Sequence, residues 1–178
     1  MTYHRDMVEI RRRLRSWWWD YLVVLAWLLL VFVAVGLPGL LGWLDLDRIW
    51  SRPLTADLAV TALTVVPYYA YLVGTEAAPA HATWGKRRSG LVVTAADGSP
   101  PGGTGIAVRN LVKVLPWQFG HMAAMRFATG AGGVAPAVAC WVVSVALLAL
   151  VVGPALAGRR GVHDLSAGTV VRPARTRA

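Results

Sequence analysis

The chain has 178 residues, of which 56% are hydrophobic and only 15% charged, with a formal net charge of +9. Soluble domains average roughly 45–50% apolar and about 25% charged residues. The distribution of charge excludes an ordinary soluble domain, because three long stretches carry none of it.

Residues 1–20 are a basic lead-in, with Arg5, Arg11, Arg12, Arg13 and Arg15 diluted by Asp6 and Glu9. Trp17, Trp18 and Trp19 close it. Indole rings favour the headgroup boundary, where the ring is buried and its N–H finds a partner, so these residues mark entry into a bilayer. From Tyr21 to Leu44 there are 24 residues without a charge. About 20 helical residues, rising 1.5 Å each, cross a hydrocarbon core about 30 Å thick. A first span is therefore expected over about 20–44. Its apolar stretch exceeds the roughly 7–15 residues of a signal-peptide core and ends without a small-x-small cleavage site, so it reads as a retained helix. Trp43 and Trp50 mark the opposite interface.

A second span is expected over about 55–75, where Leu58 to Thr75 is free of charge. Pro67 interrupts it, as a kink or a hinge, and neighbouring groups must compensate for its missing N–H. Asp57 and Glu76 read as rim residues at its two ends.

Residues 76–110 are a polar excursion. It carries His81, Lys86, Arg87 and Arg88, the apolar run Leu91–Val93 and an Asp97–Gly98 turn signal, with Pro100 to Gly103 extending the break. A short turn or strand insertion is predicted here. Residues 110–126 are mixed, with Lys113, His121 and Arg126 among apolar residues. They read as a weak fourth helix that crosses, re-enters or lies in the interface. The last clear span is expected over about 134–157, inside a 32-residue uncharged run from Phe127 to Gly158. It holds Cys140, the one cysteine, so no disulfide within the chain is possible. Residues 173–178 are expected to be a disordered tail.

The expected fold is thus all-α and membrane-embedded: a small bundle of three clear spans plus the weak fourth helix, with a short cytoplasmic turn/strand insertion, all in one domain over 1–172. Arginine and lysine accumulate on the cytoplasmic side. Of 18 such residues, five precede the first span, five lie from Lys86 to Lys113, and five follow the last span. The N-terminus is then cytoplasmic. Four crossings, counting 110–126, return all three clusters to one side, whereas three crossings do not.

Several pieces carry a family resemblance. Arg13 is followed seven residues later by Asp20. Thr83-Trp84-Gly85-Lys86 is close to a Thr-Pro-Gly-Lys motif, with Trp84 replacing the proline. Asp97-Gly98, Arg109-Asn110 and His163-Asp164, leading into Ala167-Gly168-Thr169, complete the order. On these residues the chain resembles the RDD family of membrane proteins, named for an arginine and two aspartates. The resemblance covers nearly the whole chain. It implies a small multi-span bacterial protein, with cation/proton antiport as the proposed family role.

The candidate functional network is Arg13, Asp20, Lys86, Arg109, His163 and Asp164. Arg13 and Asp20 share a helix face but stand about 10 Å apart along the axis, so each needs another partner. Lys86, Arg109 and Asp164, all assigned to the same side, are the candidates. Asp20 and Asp164 would either hold a cation or relay a proton, or belong to a salt-bridge network that locks helix ends. No zinc spacing, phosphate-binding loop, dinucleotide fingerprint or Ser/His/Asp set is present, so neither metal, cofactor nor enzymatic activity is expected. The expected partners are the bilayer with its anionic lipids, a monovalent cation and proton, and further copies of the chain, in a plasma membrane. No folded nucleic-acid reader is recognisable. The resemblance implies a small transporter exchanging cations for protons as the expected function; the alternative is a non-catalytic adaptor or assembly factor whose basic cytoplasmic face binds anionic lipid or a partner protein.

Overall fold

The computed structural model describes residues 2–130 and 132–174, with side chains from Ile10 onward. Among the described residues the chain is mostly helical (73%), with one small two-stranded sheet. Helix α1 (Thr2–Val31) runs through a π-turn at Phe32–Gly36 into α2 (Leu37–Leu40). A short α3 (Asp47–Trp50) precedes α4 (Pro53–Val60), which continues through a second π-turn, Thr61–Val65, into α5 (Val66–Ala77). Then come α6 (Trp84–Arg88), strand β1 (Leu91–Ala95), α7 (Gly103–Thr129), α8 (Val134–Leu156), α9 (Val162–Ser166) and strand β2 (Thr169–Pro173). The tail positions 175–178, with Arg175 and Arg177, lie outside the described residues.

Three helical stretches are long and apolar enough to cross a membrane: Ile10–Leu40, Pro53–Ala77 and Val134–Leu156. The basic lead-in is itself helical and continuous with the first of them, because no glycine or proline interrupts the chain before Gly36. The weak fourth helix is longer than its apolar residues indicated. It begins at Gly103, directly after the Pro100–Gly102 break, and runs 27 residues.

Both π-turns end two residues before a proline. Leu37 N–H donates to Phe32 O, ahead of Pro38, and Val66 N–H donates to Thr61 O, ahead of Pro67. A helical proline lacks an N–H and crowds the carbonyl four residues back, and the wider turn relieves that crowding. At Pro67 the carbonyl left over is that of Leu63. The indole N–H of Trp27 donates to it at 2.7 Å. The kink is thus compensated by a neighbouring side chain, as the lipid solvent requires.

Backbone contacts gather the chain into two compact units. One takes residues up to Val23, Tyr69–Lys113 and those from Ala149 onward; the other takes Val24–Tyr68 and Val114–Leu148. In the first, β1 and β2 pair antiparallel, with Leu91 opposite Pro173, Val93 opposite Val171 and Ala95 opposite Thr169. The strand expected at 91–93 thereby finds its partner in the chain that follows the last long helix. Leu72, Leu91, Val93 and Ile106 are buried in this unit. In the second, Ala56, Val65, Val114, Ala123 and Ala137 are buried, and Ser144 Oγ donates to Pro116 O at 2.7 Å.

Large apolar side chains such as Leu29, Leu40, Leu54, Val134 and Trp141 face outward, while the largest enclosed side chains include Arg109, Glu76 and Asn110. In water that distribution would expose apolar area at about 25 cal/mol per Å². Against lipid tails it carries no such cost.

Candidate functional site

The first unit encloses a chain of ionic and polar side chains. It starts at Asp20 on α1, which is 5% exposed. Its carboxylate accepts from Tyr71 Oη at 2.8 Å, Thr83 Oγ1 at 2.7 Å and Gly85 N–H at 2.9 Å. Gly85 is required there: a Cβ would collide with the Ser16 carbonyl oxygen and stand 2.7 Å from Asp20 Cγ. Thr83 is the N-cap of α6, its oxygen accepting from Lys86 N–H while its hydroxyl donates to Asp20. The short motif thus supplies a cap, a close approach and a cation within four residues.

The tryptophan in that motif is used. Trp84 N–H donates to Tyr71 Oη at 3.1 Å, which a proline has no hydrogen to do. Its ring meets Trp19 edge-on at 5.3 Å, and the Arg88 guanidinium lies 5.0 Å from the Trp19 ring and 4.9 Å from the Trp84 ring. Such cation–π contacts favour the charged arginine at an apolar boundary.

From Lys86 the network passes to Glu76, near the C-terminal end of α5. Lys86 Nζ is 2.9 Å from Glu76 Oε1, and Arg109 Nε is 3.1 Å from Oε2. Asn110 Nδ2 donates to Oε2 at 2.9 Å and to Ile106 O at 3.0 Å. Glu76 is fully buried, not the rim residue its position at a span end indicated. Burial of a carboxylate is tolerable because two cations and an amide surround it. Arg109 then reaches on. Its Nη1 donates to Asp164 Oδ1, and to Thr169 Oγ1 at 3.1 Å, while Thr169 Oγ1 donates to Asp164 at 2.9 Å.

His163 is buried beside this end, with Nε2 3.4 Å from Asp164 Oδ2. Burial, with the Arg109 guanidinium adding to it, pushes its imidazole down to about 2, so the ring is neutral at physiological pH and the contact is not an ion pair. Gly161 makes room for it: a Cβ there would stand 2.6 Å from the ring.

Of the six residues singled out from sequence, Lys86, Arg109, His163 and Asp164 meet here. Asp20 joins through Thr83, whose hydroxyl oxygen lies 3.4 Å from Lys86 Nζ. The two aspartates therefore do not share one site; Thr83, Lys86, Glu76 and Arg109 separate them. Arg13 makes none of these contacts but lines a cavity with Asp164, Arg159, Arg160 and Arg172. Sequence reasoning missed Tyr71, Glu76, Thr83, Asn110 and Thr169 as members. Thr83, Asn110 and Thr169 stood inside the quoted motifs, which was the available signal. Tyr71 and Glu76 had none.

A model of the RDD family matches residues 7–168, most of the chain. The chain belongs to the RDD family. With three helices long and apolar enough to span, this RDD protein is a membrane protein. Searches of curated proteins and of solved structures return no match. The matched region holds Arg13, Asp20, Lys86, Arg109, His163 and Asp164, and it ends at Gly168, one residue before Thr169.

The second unit has an ionic feature of its own. Arg126 grips Asp57 with both terminal nitrogens, at 2.7 and 2.6 Å. Sequence placed Asp57 on the rim of its helix and gave it no partner. His121, the lone histidine of α7, lies within 2.8 Å of Trp117 O on its own helix. Among the described residues, no group of three His, Cys, Asp or Glu side chains is arranged to hold a metal.

Proposed function

We propose that this RDD protein is a non-enzymatic, multi-span protein of the bacterial plasma membrane, in which the buried ion network clasps helix ends and a basic cytoplasmic face engages anionic lipid or a partner protein. The observation that carries this reading is that each buried carboxylate already has partners within the protein. Asp20 accepts three protein donors, Glu76 is met by Lys86, Arg109 and Asn110, and Asp164 by Arg109 and Thr169. A cation travelling to Glu76 or Asp164 would have to displace Lys86 or Arg109, leaving a buried charge unpaired at a cost of about 3–5 kcal/mol.

Topology supports the same reading. The unit that takes residues up to Val23, Tyr69–Lys113 and the chain from Ala149 contains all three basic clusters, while Arg48, Arg52 and Arg126 fall in the other. Helix α7 contributes residues to both, and its 27 residues reach roughly 40 Å, enough to cross. The proposed topology is four crossings with both termini cytoplasmic, under the rule that positive charge stays inside.

Cation/proton exchange is the second reading, and one observation favours it. Three carboxylates, Asp20, Glu76 and Asp164, are buried in a single network of a membrane protein, where ionisable groups often mark a pathway. So few spans offer little wall for a pathway, so this reading requires a homo-oligomer, and a monovalent cation as cargo.

Flux in proteoliposomes separates the two. The clasp reading expects no cation-dependent proton movement by native protein, together with enrichment of acidic lipid around it. Flux that disappears in folded Asp20→Asn or Asp164→Asn protein overturns it in favour of exchange.

A further inference from the structure

Arg13 of α1, Arg159 and Arg160 after α8, and Arg172 of β2 line one cavity of about 200 Å³ in the first unit. Liquid water takes about 30 Å³ per molecule, so the space admits a group the size of a phosphate and its ester substituent. Like charges do not gather around a hollow without a reason, since each guanidinium raises the electrostatic cost of the next.

The acid in the lining is Asp164, and its charge is already met by Arg109. Among the described residues, Arg159, Arg160 and Arg172 have no ion pair. Two of them are nonetheless held in place. Arg160 Nε donates to Thr169 O at 2.9 Å and its Nη2 to Asp164 O at 3.0 Å. Arg172 Nη2 donates to Ala96 O at 2.8 Å. Backbone carbonyls hold both guanidinium planes, and Nη1 of Arg160 makes no hydrogen bond among the described residues. Guanidinium forks match the oxygens of phosphate, as of carboxylate, bidentately, and the volume of the cavity suits the larger, tetrahedral group.

We propose that this cavity binds a phosphate-bearing anion, either a lipid phosphomonoester headgroup or free phosphate. It names the ligand chemistry of the basic face and so rests on that reading. Arg13 stands four residues before Trp17, about 6 Å along the helix from the residues that mark the headgroup level. A lipid phosphate is within reach of that position.

The test compares native protein, Arg159→Gln/Arg172→Gln, and Arg48→Gln/Arg52→Gln, which removes the same charge from the exposed loop between the first two spans. Inorganic phosphate is titrated onto each in phosphatidylcholine nanodiscs, and lipid retained from mixed phosphatidylcholine–phosphatidic acid nanodiscs is measured by native mass spectrometry. Phosphate binding that is roughly tenfold weaker in the cavity variant, and unchanged in the loop variant, supports the site with free phosphate as ligand. The same pattern in phosphatidic acid retention alone supports it with a headgroup as ligand. If acidic lipid is retained but both variants lose it equally, the site falls while the basic-face reading stands. If native protein binds neither phosphate nor phosphatidic acid, the site falls, and the basic face keeps only its partner-protein form. Should the double variant fail to fold, Arg159→Gln alone carries the comparison, since that side chain is exposed and makes no hydrogen bond among the described residues.

Discussion

Gly85 sits against the carboxylate of Asp20, its N–H donating at 2.9 Å and its α-carbon leaving no space for a side chain. The contact joins α6 to α1 and sets the position from which Lys86 reaches Glu76. Gly85→Ala forces either backbone or Asp20 to move. The expected loss is about 1–3 kcal/mol, the usual cost of overpacking. Thermal unfolding of the detergent-solubilised protein measures it; an unchanged midpoint would mean that α6 is not held as described.

Removing Glu76 leaves Lys86 and Arg109 buried beside an uncharged neighbour. Glu76→Gln is expected to destabilise by about 3–5 kcal/mol. Glu76→Gln/Lys86→Met, which removes one charge of each sign, should cost less than Glu76→Gln alone. If the double variant is instead the less stable of the two, the pair at 2.9 Å is not a coupled one.

Asp57 and Arg126 are 69 residues apart in sequence and joined by two hydrogen bonds. A double-mutant cycle through Asp57→Asn and Arg126→Gln should return a coupling of about 1–3 kcal/mol. Exchanging the two, Asp57→Arg with Arg126→Asp, should recover part of the stability lost in either single exchange. Additive losses would show that the two side chains act independently.

His163 is neutral when folded, its imidazole depressed from the ordinary 6.5 to about 2 by burial and by Arg109. The unfolded chain therefore binds a proton that the folded chain refuses. Stability is complete above about pH 6.5 and declines as pH falls toward 2. Between pH 6.5 and 5 the loss from this group is about 2 kcal/mol. Unfolding midpoints at pH 7 and pH 5 should differ in native protein and differ less in His163→Asn. Equal pH dependence in both would assign the effect to other groups.

Much of the architecture was readable before any coordinates. Runs of 24, 18 and 32 uncharged residues mark spans because lipid offers no partner for a charge or an open backbone group. Pro67 announced a compensated kink for the same reason, though nothing in the local sequence named Trp27 as the compensating donor. Arg109, Asp164 and Lys86 were recognisable as polar groups that had to be paired.

Which of them pair was decided only by the tertiary structure. Glu76 looked like any acid at a helix end, and became the centre of the network because α6 and α7 bring Lys86 and Arg109 to it. Strand β1 was legible from its apolar run, but its partner Thr169–Pro173 lies far along the chain, beyond two long helices. Local hydrophobicity reports the cost of placing one segment in lipid, a property of that segment alone. A hydrogen bond or ion pair depends on the distance between two segments, and that is set by how the helices pack.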